Sequence, residues 1–564
     1  MDIEQLKTRI GARWGGALRG AGAVLTGLLL AESFPPIEWN QVAWFALVPL
    51  MVSLAFSRPR EAIRLGAISG GLFWLLDLAW LLRLNATGNV PLILIGIGWL
   101  ALALYCALFM VAFATALQWA WARWAGRNLL VNLGLTFVAP VLWVGFEYGR
   151  SVLFGGFPWN PLGASQYSFR AVIQMAQWIG VYGVSAMVVL VNAGFAMTVV
   201  RYLRRDQTMT GYRPHPELFS AILLLVVVLR VGWDLDAAYG RSGGSLTVAA
   251  IQPNVPQNAK WSEEFVADIY GKLERLSREA IVYSQVTRGF KPDLLVWPET
   301  SVPDYVRASA DCLEFVRRIA TNGVPVLVGS MDFEERGGAT NYYNSAFLFD
   351  ASGRILQRYD KQRLVPFGEY IPLEAQIPLL RRLAPLGWSC TAGHAATVFR
   401  LREPAVRFSV AICFEDAVAG LSREFVLDGA RVLIDQTNDA WFDGSAGAAQ
   451  HLAQCVFRCV ENRVPAVRSA NSGLTCFVGR NGRVYHGNPP GRIAEAVDGA
   501  APARTEVYAI GEVAAAEDEM RLTPYTRYGD RLFAIPCAFV ALAALVPPLL
   551  EWRRRRVTPA PPVA

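Results

Sequence analysis

Apolar runs long enough to cross a bilayer fill the first 232 residues, and they restrict this chain more than any motif does. They lie near Gly20–Leu30, Val42–Phe56, Ala67–Leu82, Val90–Ala120, Leu129–Gly145, Ala171–Val200 and Leu218–Val231. A spanning helix takes roughly 20 apolar residues, with about 17–25 as the range. The fourth and sixth runs are ample, the second and seventh are short, and Glu32 lies near the end of the first. One more run, Leu532–Leu550, comes late. With 53% hydrophobic and 18% charged residues, the expectation is a polytopic α-helical membrane protein of about eight spans.

The basic residues give these spans a direction. Lys7, Arg9 and Arg13 precede the first, and Arg58, Arg60 and Arg64 separate the second from the third. Arg123 and Arg127 follow the fourth, Arg201, Arg204 and Arg205 the sixth, and Arg553–Arg556 the last. Every alternate loop is basic, as on the cytoplasmic side of a membrane. Both termini are then expected inside and the chain after Val231 outside. No cleavable signal peptide is evident, so the first span is expected to stay as an anchor. The net charge of +7 is spent at the ends of apolar runs, which argues against a nucleic-acid partner. Asp77, Glu147 and Arg150 lie in or beside the runs, where a charge is either functional or solvated at an interface. The loop Gly155–Pro161 fits a lipid entrance as well as an interfacial aromatic anchor.

The pattern changes after Gly243. The chain divides into a membrane part, 1–232, an extramembrane domain, 244–516, a connector with the last span, 517–551, and a basic tail, 552–564. Strands are expected at Leu246–Gln252, Asp293–Trp297, Val324–Gly329, Ser345–Phe349, Arg354–Tyr359, Arg407–Ile412, Val432–Asp435, Ala466–Ala470, Leu474–Val478 and Val507–Ile510. Helices begin near Ser262, Asp311, Gly420 and Gly447. This alternation predicts layered α/β or α+β packing.

Three reactive groups follow strands: Glu299 after Leu294–Trp297, Lys361 after Ile355–Tyr359, and Cys413 after Phe408–Ile412. A thiol there fits a buried core cysteine as well as a nucleophile. Together the three supply what acyl chemistry needs. A free thiol has a pKa of about 8.5 and needs a base such as Glu299 to take its proton. A cation such as Lys361 can hold the oxyanion of a tetrahedral intermediate.

Trp297-Pro298-Glu299, Asp360-Lys361 with Leu364–Tyr370, and Ile412–Glu415 resemble the Glu-Lys-Cys motifs of the nitrilase superfamily. Gln252–Pro256 with Lys260-Trp261, Asn438–Phe442 and Thr523–Asp530 extend the likeness. The whole pattern resembles the apolipoprotein N-acyltransferase family. That resemblance implies an αββα sandwich and an acyl transfer in two steps. Cys413 would take an acyl chain from a phospholipid, typically phosphatidylethanolamine, and pass it to the α-amine of a diacylglyceryl-cysteine on an apolipoprotein. Glu299 would be the base and Lys361 the oxyanion ligand. Glu369 would support the amine or the substrate, Glu415 would flank the nucleophile, and Trp261 would lie at the substrate site. Phe414 stands where some relatives carry Tyr, so an aromatic contact survives there without a hydroxyl. The implied setting is the bacterial inner membrane, with the domain on the periplasmic side.

Other features keep two readings. Pro372–Cys390, with Leu379, Leu380, Leu383 and Trp388 beside Arg381 and Arg382, is expected to be a lid dipping into the membrane surface. Trp441 and Phe442 either line the site or fill the core. Cys455 and Cys459 share a helix face and are expected to pack rather than bind metal. The eight cysteines include no C-x-x-C pair, and the four histidines form no ligand cluster, so neither a metal nor a cofactor is expected. His451 lies within reach of the site without a required role. The competing functions are a membrane-anchored amidase using water as acceptor, and a transporter or receptor whose domain only binds ligand.

Overall fold

The computed structural model describes residues 3–88, 90–125, 127–204, 214–240, 246–374, 376–379, 389–442, 444–486, 504–517 and 521–557. Its contacts divide the chain into two compact units. One comprises Met1–Ala79, Ile97–Trp233 and Asp530–Ala564, and the other Trp80–Gly96 with Asp234–Gly529.

Among the described residues, five helices are long and apolar enough to cross a membrane: Leu92–Trp124, Leu129–Gly155, Ala176–Leu203, Pro216–Tyr239 and Pro524–Arg553. Pro59–Asp77 with Ala79–Ala86, bent by 42°, makes a sixth if the pair is one span. The count is therefore five or six by length and composition, where the sequence leads to about eight. The second expected run folds into a 3₁₀ turn, Asn40–Trp44, and an eight-residue helix, Val48–Ala55, too short to cross. The first run lies within Ile3–Glu32, whose glycines, Arg19 and Glu32 dilute its apolar character.

Small residues let the helices of this unit approach closely. A Cβ on Gly66 would stand 2.9 Å from Ala114 Cβ, and one on Gly70 2.7 Å from Met110 Cβ. The three charges Asp77, Glu147 and Arg150 are buried, not solvated. Asn160 Nδ2 donates to both Asp77 oxygens at 2.9 and 3.0 Å, and Leu162 N to Glu147 Oε1 at 2.6 Å. Arg150 Nη1 donates to the carbonyls of Phe157 and Trp159, each at 2.7 Å. These charges pin the loop that follows Arg150, and Trp159 within that loop is itself buried.

The second unit carries two six-stranded sheets. The strands are β1 (Leu246–Gln252), β2 (Leu294–Val296), β3 (Val326–Arg336), β4 (Ala339–Phe349), β5 (Ile355–Asp360), β6 (Phe399–Arg400), β7 (Arg407–Ile412), β8 (Val432–Thr437), β9 (Ala466–Ala470), β10 (Cys476–Val478), β11 (Val484–Tyr485) and β12 (Val507–Val513). One sheet runs β12-β1-β2-β3-β4-β5 and the other β11-β10-β9-β8-β7-β6. Each has a parallel centre, β1-β2-β3 and β7-β8-β9, with antiparallel flanks. Helices α1 (Val266–Arg288) and α2 (Ala310–Ala320) share a core with the first sheet through Ile269, Leu273, Phe315, Trp297 and Phe347. Helices α3 (Ala419–Leu427) and α4 (Ala446–Asn462) belong to the second half, α4 packing on β10. The sheets face each other directly: β1 meets β9 and β4 meets β7. This is the expected αββα sandwich.

Burial on both faces explains the composition of the central strands, since every residue of β1, β2, β8 and β9 is buried. Polar bonds cross the sandwich too. Ser469 Oγ lies 3.1 Å from the carbonyls of Ile251 and Val296, and Gln436 Nε2 donates to Trp297 O at 2.6 Å. The strands β3 and β4 outrun their expected lengths because they form one hairpin. Gly337 and Gly338, at φ +61° and +79°, make its tight turn.

Candidate active site

The ends of β2, β5 and β7 deliver the three groups singled out in the sequence. β5 runs antiparallel to β4, and β4 to β3, so β5 points the same way as β2 and β3. Glu299 and Lys361 therefore leave one edge of the first sheet. Two glycines make room for them. A Cβ on Gly329 would lie 2.3 Å from Pro298 O and 2.9 Å from Glu299 Cα, and one on Gly393 2.1 Å from Asp360 O.

Lys361 and both glutamates are held in one bonded cluster. Lys361 Nζ is 2.8 Å from Glu369 Oε1 and 3.4 Å from Glu299 Oε1. Asn344 Nδ2 bridges the same two oxygens, at 3.0 Å to Glu369 and 2.8 Å to Glu299. Val365 N fixes the other Glu369 oxygen at 2.8 Å. Burial opposes the Lys361 charge, yet Glu369, Glu299 and the Cys413 sulfur hold its pKa well above the ordinary lysine range. Cys413 responds to the same groups. Burial and then Glu299 push the thiol well above its usual pKa, while Lys361 pulls it down.

Cys413 follows Ile412, the last residue of β7, at φ +55°, a left-handed conformation that costs a non-glycine residue about 1–3 kcal/mol. Glu415 holds that bend. Its Oε2 accepts from Ile412 N at 2.8 Å. Its Oε1 accepts from Tyr359 Oη at 2.9 Å, Gln362 N at 2.7 Å and Arg363 N at 3.0 Å. One carboxyl thus ties the thiol's turn to the residues flanking Lys361. Burial raises it to about 7, against the pull of Ile412 N–H and Lys361.

Behind Cys413 lies a buried charge network that sequence reasoning missed. Arg468 Nη1 pairs with Asp435 and, at 3.0 Å, with Asp416, and Nη2 with Asp439 at 2.9 Å. His451 stands between Asp416 and Asp439, with a ring nitrogen 2.9 Å from each. Burial opposes its charge, but Asp416 prevails over burial and Arg468, and His451 rises to about 10. Asp439 is pulled down to about 2, where Arg468 and His451 outweigh burial. Burial holds Asp435 well above the carboxylate range. Asp416, Asp435 and Cys455 also bring ligand atoms within 4.8 Å of one another. Arg468 already supplies those carboxylates with the positive charge a metal would bring. Cys455 and Cys459 are both buried thiols.

The other matched stretches act as braces. Asn471 accepts from Val255 N at 3.0 Å, donates to Val255 O at 2.8 Å and reaches Asn438 at 2.9 Å. Asn438 donates to Gln257 at 2.7 Å. Thr523 and Thr526 close the end of α4 through Glu461 O and Asn462, at 2.6 and 2.9 Å. The bonds of Asn471 and Asn438 to Val255 and Gln257 hold the loop that carries Lys260, a buried lysine whose Nζ donates to Glu299 O at 3.0 Å. Trp261 next to it is 49% exposed, and Phe414 is half-buried. Phe442 is buried between Trp80, at 4.8 Å, and His451, at 5.9 Å, whereas Trp441 is 36% exposed. That pair divides between core and surface. Most of the expected lid, including Leu380, Arg381, Arg382, Leu383 and Trp388, lies outside the described residues.

Asn344 and Lys260 had faint signals. Asn344 interrupts the apolar end of β4, and Lys260 sits beside a tryptophan noticed for other reasons.

Residues 26–194 match the apolipoprotein N-acyltransferase N-terminal domain, and residues 247–496 match carbon-nitrogen hydrolase. A Geobacter metallireducens apolipoprotein N-acyltransferase is 35% identical over 539 residues, 95% of each chain. The Azotobacter vinelandii enzyme of that name is 30% identical over 558 residues, 96% of each. One from Gloeobacter violaceus is 32% identical over 466 residues, 82% of this chain and 84% of its own. The chain is thus similar along nearly its whole length to such enzymes, and it belongs to the apolipoprotein N-acyltransferase family.

Proposed function

We propose that this protein transfers an acyl chain from a phospholipid, through a Cys413 thioester, to the N-terminal amine of diacylglyceryl-cysteine on apolipoproteins. The observation that carries this reading is the cluster of Glu299, Lys361 and Glu369, electrostatically coupled to a thiol on a strained turn. Glu299 takes the Cys413 proton as sulfur attacks the ester carbonyl. Lys361 stabilises the oxyanion, a contribution of about 2.7–4 kcal/mol where one such donor has been removed. Collapse breaks the ester C–O bond, Glu299 returns the proton to the leaving oxygen, and lysophospholipid departs. The acceptor amine then attacks the thioester. Glu299 takes its proton, the amide forms, and the thiolate regains a proton. Glu369 holds Lys361 in place, and Glu415 holds Lys361 and Cys413 in register. Trp261, Phe414 and Trp441, all partly exposed, are read as contacts for the acyl chain or the substrate.

Phosphatidylethanolamine is the proposed donor. The proposed location is the bacterial inner membrane, with both termini cytoplasmic and the sandwich periplasmic. The support is the basic residues of alternate loops. Incubating purified protein with phospholipid bearing a labelled acyl chain should leave a hydroxylamine-sensitive label on Cys413, discharged by an apolipoprotein amine. Labelling and transfer that persist in Cys413→Ala would refute the mechanism. A thioester discharged only by water would favour the amidase reading.

A further inference from the structure

The cluster around Glu299 contains a second buried lysine that the mechanism above does not use. Lys260 is 2% exposed and comes from the loop after β1, far in sequence from β5 and Lys361. The brace through Asn471, Asn438 and Gln257 leaves that loop little freedom. Its ammonium donates to the main-chain carbonyl of Glu299, at the point where Thr300 adopts φ +41°. The charged or titratable groups that act on it are Glu299 and Cys413.

Charge balance gives this lysine a purpose. At rest, Glu299 and Glu369 carry two negative charges, and Lys361 carries one positive charge. Lys260 completes neutrality. When the Cys413 proton moves to Glu299, the thiolate and Glu369 again face two ammonium groups. A site with Lys361 alone would hold one uncompensated negative charge before and after the transfer, which burial makes costly.

We propose that Lys260 is a positioning residue for Glu299 and Cys413: it fixes the Glu299 main chain and supplies the second positive charge that offsets Glu299 and Glu369 before the proton transfer and the thiolate and Glu369 after it. This inference rests on reading Glu299 and Cys413 as base and nucleophile. Burial lowers the Lys260 amine to about 8, although Glu299 and Cys413 favour its charge, so the compensation weakens in alkaline solution.

The test uses full-length protein in detergent and needs no lipid. The rate of Cys413 alkylation by iodoacetamide, read by mass spectrometry of its peptide, reports thiolate formation. Lys260→Met should slow alkylation about tenfold at pH 7.5, corresponding to one unit of thiol pKa. The gap should narrow above about pH 8, as the native amine loses its own charge. Lys260→Arg should recover most of the rate. If Lys260→Met does not fold, Lys260→Gln, a neutral donor, takes its place in the comparison. Folded Met or Gln variants that alkylate at the native rate with the native pH profile would overturn the proposal, as would an Arg variant no faster than the neutral ones. If Cys413 alkylates as expected but never accepts an acyl chain, the acyl-enzyme reading fails while the charge role of Lys260 stands.

Discussion

Replacing His451 with Gln should remove a large part of the pH dependence of stability. Each ring nitrogen of His451 lies 2.9 Å from an aspartate oxygen, Nε2 from Asp416 and Nδ1 from Asp439, and Arg468 Nη2 lies 2.9 Å from Nδ1. The imidazolium's pKa rises from 6.5 to about 10, with Asp416 and Asp439 overcoming burial and Arg468. Because the folded pKa lies above the unfolded one, the contribution is complete below pH 6.5 and is lost as pH rises to about 10. That interval of about 3.5 units, at 1.36 kcal/mol each, is on the order of 5 kcal/mol. At roughly 2–4 °C per kcal/mol for a domain of this scale, the thermal midpoints of native and His451→Gln proteins should converge by on the order of 10 °C over that window. Comparing the two proteins at each pH cancels the titrating groups outside the network of Asp416, Asp435, Asp439 and Arg468. Hydrogen exchange at the imidazole C2 position gives a second readout, and only four histidines need to be distinguished. A midpoint difference that stays constant from pH 6.5 to 10, or a His451 that titrates near 6.5, would refute the assignment.

Gly329→Ala and Gly393→Ala should each lower Cys413 acylation by about tenfold or more without removing a functional group. Their new Cβ atoms would meet Pro298 O at 2.3 Å and Asp360 O at 2.1 Å and displace Glu299 or Lys361, an overpacking that also costs about 1–3 kcal/mol in a thermal melt. Lys361→Met should reduce single-turnover acylation by about 10²–10³, the effect of losing one oxyanion donor, while phospholipid binding persists. Asn344→Leu removes the amide shared by Glu299 and Glu369, and acylation should fall with little change in the apparent KM for lipid.

The sandwich was legible because its central strands are buried on both faces and carry continuous apolar runs. Leu246–Gln252, Arg407–Ile412 and Ala466–Ala470 coincide with β1, β7 and β9. β6 and β11, two residues each, are too short to leave a periodic signal. The outer half of the β3–β4 hairpin is polar and gave no apolar pattern. Glu299, Lys361 and Cys413 could be found because each follows a strand in a known motif. Glu369 and Glu415 came with the same motifs, but the other residues supporting them were faint or silent in the sequence. Asn344, Lys260, His451 and Arg468 come from four separate elements, and only the folded chain brings their charges together. Span counting had a similar limit, since apolar content alone does not show that Val42–Phe56 breaks into a turn and a short helix.

The surroundings of Cys413 also bear on the second half of the reaction. Burial and then Glu299 push the thiol up, so on the proposed mechanism the nucleophile forms as Glu299 accepts its proton. The acceptor faces the converse problem. An α-amine has an ordinary pKa of about 7.7–8.0 and is mostly charged at neutral pH. An ammonium nitrogen has no lone pair to attack with, so the amine must be neutral when it meets the thioester. Discharge of a preformed Cys413 thioester by an amine-bearing lipopeptide should therefore rise about tenfold per pH unit below about 8 and level off above it. Single-turnover discharge of the isolated acyl-enzyme from pH 6 to 9 measures this directly. A rate that stays flat across that range would mean that the charged amine enters the site and loses its proton there, with Glu299 as base in a step that no longer limits the reaction.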